Sequence, residues 1–177
     1  MKKSFFRWQL LGFVVAVFSG VLLHFLYEWT NESVLVAPFT GVNESTWEHM
    51  KLLFIPMFLF AIIESFFFKK YKDFWGVKFK GILLGVILIP VLYYLYNGII
   101  GKSPDWVNIL IFVVCAVVSY IYEYRLMYKQ DKKIPSKSAS IILLLFILGL
   151  FILFTFKPLK LNIFLDTTTN TYGIEKA

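Results

Sequence analysis

The chain is short of charge, of acid above all, and of cysteine. Charged residues make up 16% of its 177 residues, against about 25% in a soluble domain, which argues against an ordinary water-soluble fold. A lone Cys115 excludes a disulfide within the chain, and with it a disulfide-stapled secreted scaffold. Lying inside an apolar block, it reads as a small buried apolar residue. There are two histidines and no H-E-x-x-H run, so the helical zinc-protease signature is missing. No internal repeat is found, and nothing therefore supports an inverted-repeat transporter.

What is present is apolar: 59% hydrophobic and 20% aromatic. These residues form five blocks, each near the 20 or so that a helix needs to cross a bilayer. The blocks cover about 8–29, 47–68, 79–97, 105–127 and 138–156. They predict an all-α, polytopic membrane helix bundle of five transmembrane helices, a single membrane domain over 1–177 with a polar tail at 157–177. The first block follows the basic run Met1–Arg7 and exceeds the roughly 7–15 residues of a cleavable signal core, so it is expected to stay as a signal-anchor helix.

Orientation follows from the cations. Alternating sides puts thirteen on one (Lys2, Lys3, Arg7, Lys69, Lys70, Lys72, Lys78, Lys80, Arg125, Lys129, Lys132, Lys133, Lys137) and five on the other. The positive-inside rule then places the N-terminus in the cytoplasm and the C-terminus outside, in a multi-pass cell-membrane protein. The net charge of +7 needs no nucleic-acid partner; the lipid bilayer is the expected partner, with a homo-oligomer or another membrane protein possible through small-residue faces. Gly12, Ala16 and Gly20 make one such face and Gly81 and Gly85 another, and they predict close contact between the first and third helices. The fifth block reads as a lipid-facing helix, and Phe164 and Tyr172 predict a tail that folds back over the outer mouth.

The chemistry concentrates in Asn43-Glu44-Ser45-Thr46-Trp47-Glu48-His49. Ser45 to Glu48 fits a capping box, Trp47 suits an interface anchor, and His24 and His49 could hydrogen-bond across helices. Against this structural reading stands the gathering of polar groups at one face. His24, Glu28, Glu44, Glu48, His49 and Asn97 are candidate ligand-binding residues, and His24, Glu28, Glu48 and His49 offer a nitrogen and oxygen set suited to a divalent metal such as zinc. Ser45 and Thr46 lie near His49, but capping competes for their hydroxyls and no oxyanion hole is evident. Glu64 and Glu123 are candidates for a proton or ion path, though Lys69 and Arg125 are close enough to make them plain edge charges, the preferred reading for Glu123.

The run Val42-Asn43-Glu44-Ser45-Thr46-Trp47-Glu48-His49, together with Phe164-Leu165-Asp166 and Thr171-Tyr172-Gly173-Ile174, resembles a family of small bacterial, Firmicutes-type integral membrane proteins carrying a domain of unknown function with a V-N-E-S-x-W-E-H motif. The resemblance implies the bacterial inner membrane and supplies no activity. From the residues, the expected function is an outer-facing polar site for a small cation or solute, in transport or as an accessory to it. The alternatives are a metal-dependent membrane-embedded hydrolase and a structural or partner-binding protein.

Overall fold

The computed structural model describes residues 2–129 and 133–174; Lys132 and the last three tail residues lie outside the described residues. Five helices follow one another up and down: α1 (Lys2–Trp29), α2 (Thr46–Phe67), α3 (Phe74–Ile99), α4 (Asp105–Met127) and α5 (Lys137–Phe156). Each is long and apolar enough to cross a membrane. Among the described residues there is no β-strand, only an isolated bridge between Leu165 and Tyr172 in the tail. The bundle therefore has two ends. The N-terminal end holds the start of α1, and the tail end holds the start of α2 and the residues after α5.

Helix α2 is the axis, buried on nearly every side from Thr46 to Phe58. Its sequence has no polar face to show water, so it must be enclosed by its neighbours. Ser45 caps it by accepting from the Glu48 N–H at 3.4 Å. Half of the capping box forms, because the Glu48 carboxylate goes elsewhere and the Ser45 N–H donates to Asn43 Oδ1 instead. Pro56, inside α2, deprives the Leu52 carbonyl of its helical donor. Gly20 of α1 comes close to that carbonyl, since a β-carbon there would stand 3.2 Å from the oxygen.

The two small-residue faces do not meet each other. Gly12 receives the rings of Phe60 and Tyr120, and Gly20 receives Phe112. On α3, Gly81 receives Glu123 and Gly85 receives Ser119. The expected contact of α1 with α3 is corrected accordingly: α1 packs on α2 and α4, and α3 packs on α4, α2 and α5. Small residues here mostly make room for side chains of α2 and α4, and the glycine faces of α1 and α3 are not paired with each other.

Two other expectations change. Helix α3 starts at Phe74, earlier than the apolar block suggests, because Phe74 and Val77 bury with Phe5, Phe68, Leu126 and Met127 in a second hydrophobic cluster at the N-terminal end. This draws Lys78 inside. Helix α5 exposes Ile142, Leu145 and Phe146 outward, as a lipid-facing helix would, yet it also buries Ser140, Leu144, Phe151 and Thr155. The tail turns back over the start of α2, where the Phe164 ring packs at a tilt against Trp47 with ring centres 4.8 Å apart and against Phe154 at 5.1 Å.

Candidate functional site

Three donors meet at the tail end, each from a different element: His24 near the end of α1, Glu44 in the connecting loop and His49 in the first turn of α2. One ligand-type atom from each lies within 4.8 Å of the others. His24 Nε2 stands 3.4 Å from Glu44 Oε1, His49 Nε2 stands 3.7 Å from Glu44 Oε2, and the imidazole centres are 5.6 Å apart. Glu44 is half exposed, the imidazoles about a quarter, so the cluster opens to one side.

Local contacts hold these groups in place. The loop is pinned to α1 by the Gly41 N–H, which donates to the Leu23 carbonyl at 3.2 Å. Asn43 donates through its amide to the Gly173 carbonyl at 2.9 Å, and the Glu44 N–H donates to Asp166 Oδ2 at 3.2 Å. Burial pushes the Asp166 carboxyl up, but the hydroxyl and N–H of Thr168 and the N–H groups of Glu44 and Thr169 outweigh it and hold the carboxyl below its ordinary 3.8. The tail thus acts as a buttress behind Glu44.

His49 carries a further constraint. Its Nδ1 lies 2.9 Å from the Ser45 carbonyl oxygen. A carbonyl can only accept, so Nδ1 carries the hydrogen and a neutral ring presents the Nε2 lone pair to Glu44. Two acceptors then face each other at 3.7 Å. A proton or a metal cation between them resolves the opposition, and a ring N–H held by a backbone carbonyl is the usual support of a metal-bound histidine.

The remaining sequence candidates lie apart from this cluster. Glu28, one turn beyond His24, is exposed, and the three-donor set forms with Glu44 in its place. Glu48 is buried and paired with Lys51, whose Nζ lies 2.6 Å from Glu48 Oε2 and donates to Thr155 Oγ1 at 2.7 Å and the Ala37 carbonyl at 3.0 Å. The Val42 N–H donates to the same Glu48 oxygen. Asn97 closes the turn between α3 and α4, donating to the Tyr93 carbonyl at 2.7 Å and accepting from the Ser103 N–H at 2.9 Å.

Sequence reasoning placed Glu64 and Glu123 beside Lys69 and Arg125. In the fold both are fully buried and share Lys78, a residue counted as a loop cation, with Gln9 of α1 alongside. The signal was available, since Lys78, Gly81, Ile82 and Gly85 fall on one helical face that the two glycines mark as an interior one.

Comparison with curated proteins and with solved structures finds no match. A family model does match, over residues 1–174, a range that takes in all five helices. The chain belongs to a family of unknown function, DUF6512.

Proposed function

We propose that this chain is a multi-pass membrane protein that binds one divalent transition-metal cation, of which zinc is the type, through His24, Glu44 and His49 at the outer end of the bundle. The observation that carries the reading is the Nδ1–H of His49 on the Ser45 carbonyl, which leaves the Nε2 lone pair available to a cation, facing a carboxylate beside a second imidazole. Two imidazoles and a carboxylate suit zinc better than calcium or magnesium, which prefer oxygen donors. The placement of this end outside the cell rests on the cation bias of the connecting segments.

Three protein donors leave a fourth position open, as catalytic zinc sites do. A hydrolase would also need a general base beside that position. Glu48 is committed to Lys51, and Asp166 to backbone and hydroxyl donors, so binding is favoured over hydrolysis. Carriage through the bundle is favoured less, because apolar Leu53, Phe54, Met57 and Ala61 fill the core between this end and the buried Glu64. Two grooves among the described residues, one lined by Leu92, Tyr96 and Trp106 and one by Trp47, Leu83 and Phe151, are apolar as well.

The test is titration calorimetry of zinc chloride into the full chain in detergent. The wild type is expected to take up one zinc per chain. His24→Ala and His49→Ala should lose the site, Glu44→Gln should weaken it by at least about tenfold, and affinity should fall with pH as protons compete for the donors. A wild type that takes up no zinc, or variants that bind it equally well, would sink the reading.

A further inference from the structure

At the opposite end of the bundle lies a second polar site that the zinc reading does not use. Lys78 of α3 contacts Glu64 of α2 and lies 2.7 Å from Glu123 Oε2 of α4. All three are fully buried. Gln9 of α1 joins them, and Tyr120 of α4 lies over the ammonium, its ring centre 5.5 Å away. Helix α5 adds no titratable group to the described contacts. Phe5, Phe68, Phe74 and Met127 close the cluster off on the N-terminal side, and the main core closes the other.

The charges do not balance. Two carboxylates share one ammonium, and the described ion pairs give neither carboxylate another cation. Unpaired charge is not tolerated at such burial, where a carboxyl takes up a proton instead. Glu123 Oε1 agrees with this, being buried without a hydrogen-bond partner against Gly81, where no β-carbon stands in the way. A neutral carboxyl carries such an orphan oxygen at far lower cost than a carboxylate does.

Gln9 fits the cluster in one orientation of its amide, in which Nε2 donates to Glu123 Oε2 at 2.9 Å and the oxygen accepts from Lys78 at 3.2 Å. The reverse orientation would set the amide oxygen against the Glu123 carboxylate oxygen and the amide nitrogen against the ammonium.

We propose that Gln9, Glu64, Lys78 and Glu123 form a buried proton-binding site that holds one exchangeable proton, shared between Glu64 and Glu123, beside a permanently charged Lys78. The proton resides on either carboxyl while the ammonium keeps its own, so the cluster stays neutral. Opening the aromatic seal to water lets both carboxylates ionise and releases one proton. Closing takes it up again. Intramembrane acids with this kind of partner are the groups from which proton relays are built.

Infrared spectroscopy of the full chain in lipid at pH 7 tests the proposal. The wild type should show a protonated-carboxyl C=O band that shifts in deuterated water. Glu64→Gln and Glu123→Gln should each abolish the band and keep the wild-type helical spectrum, because each leaves one carboxylate paired with Lys78. A wild type without the band overturns the proposal. So does a band that survives either substitution, or failure of either variant to fold while Lys78 is in place.

Discussion

Lys51 is buried as completely as any leucine of the core, and its amine reaches Glu48, Thr155 and the Ala37 carbonyl. That one side chain ties α2 to α5 and to the loop that carries Glu44. Glu48 is held equally well, by Lys51, by the Val42 N–H and within 3.3 Å of the Thr155 hydroxyl. Breaking a buried pair from one side leaves an uncompensated charge and costs about 3–5 kcal/mol, whereas replacing both partners by apolar groups is often neutral or favourable. Lys51→Met should therefore lower stability by roughly that amount, well beyond the 0.5–2 kcal/mol or so of a lost helix cap. The double variant Lys51→Met with Glu48→Leu should recover most of it. Denaturant melts in a fixed detergent measure this, and a single variant as stable as wild type would mean the pair holds nothing together.

At the scale of the helix, glycine decides what each element can receive. A β-carbon at Gly81 would fall 2.1 Å from Glu123 Cγ, whereas one at Gly98 of α3 or Gly149 of α5 would meet nothing within 4 Å. Gly81→Ala is expected to destabilise the bundle. Gly98→Ala and Gly149→Ala should leave it unchanged or up to about 1 kcal/mol more stable, from helix propensity alone. Thermal melting that ranks the three alike would contradict this. The same glycines show where the sequence can be read and where it cannot. Helix number and order were legible, because the apolar blocks are long and the capping Ser45 and the turn residues punctuate them, whereas the starts of α1 and α3 lie earlier than their apolar blocks. Which small faces would meet was not, since Gly12 and Gly20 accept rings from α2 and α4 that spacing along α1 cannot name. His24, Glu44 and His49 were recognisable as chemistry, but choosing Glu44 over Glu28 and Glu48 needed the course of the loop and the buried Lys51. Lys78 looked like a loop cation because its two partners come from helices 14 residues before and 45 residues after it in the chain.

The two polar clusters to which a function is proposed lie at opposite ends of an apolar bundle. The tail-end cluster opens toward solvent and is buttressed by the tail, while the Glu64, Lys78 and Glu123 cluster is sealed near the N-terminus. Which end faces the cytoplasm gives each centre its meaning, because zinc handling at an outer face and proton exchange toward the inside require the N-terminus in and the tail out. Burial of Lys51 and Lys78 removes one cation from each side of the positive-inside comparison. The bias survives, since the remaining cations on the N-terminal side fall in the first two turns of α1, α3 and α5, the last turn of α4, or the connecting segments 68–73 and 128–136. Single cysteines report the orientation once Cys115, which is buried, is replaced by alanine. A cysteine at Asp73, in the turn before α3, should resist an impermeant thiol reagent added to intact cells, and one at Asn170, in the tail turn, should react. The reverse pattern would invert the molecule, moving the three-donor site to the cytoplasmic face and opening the buried carboxylates to the outside.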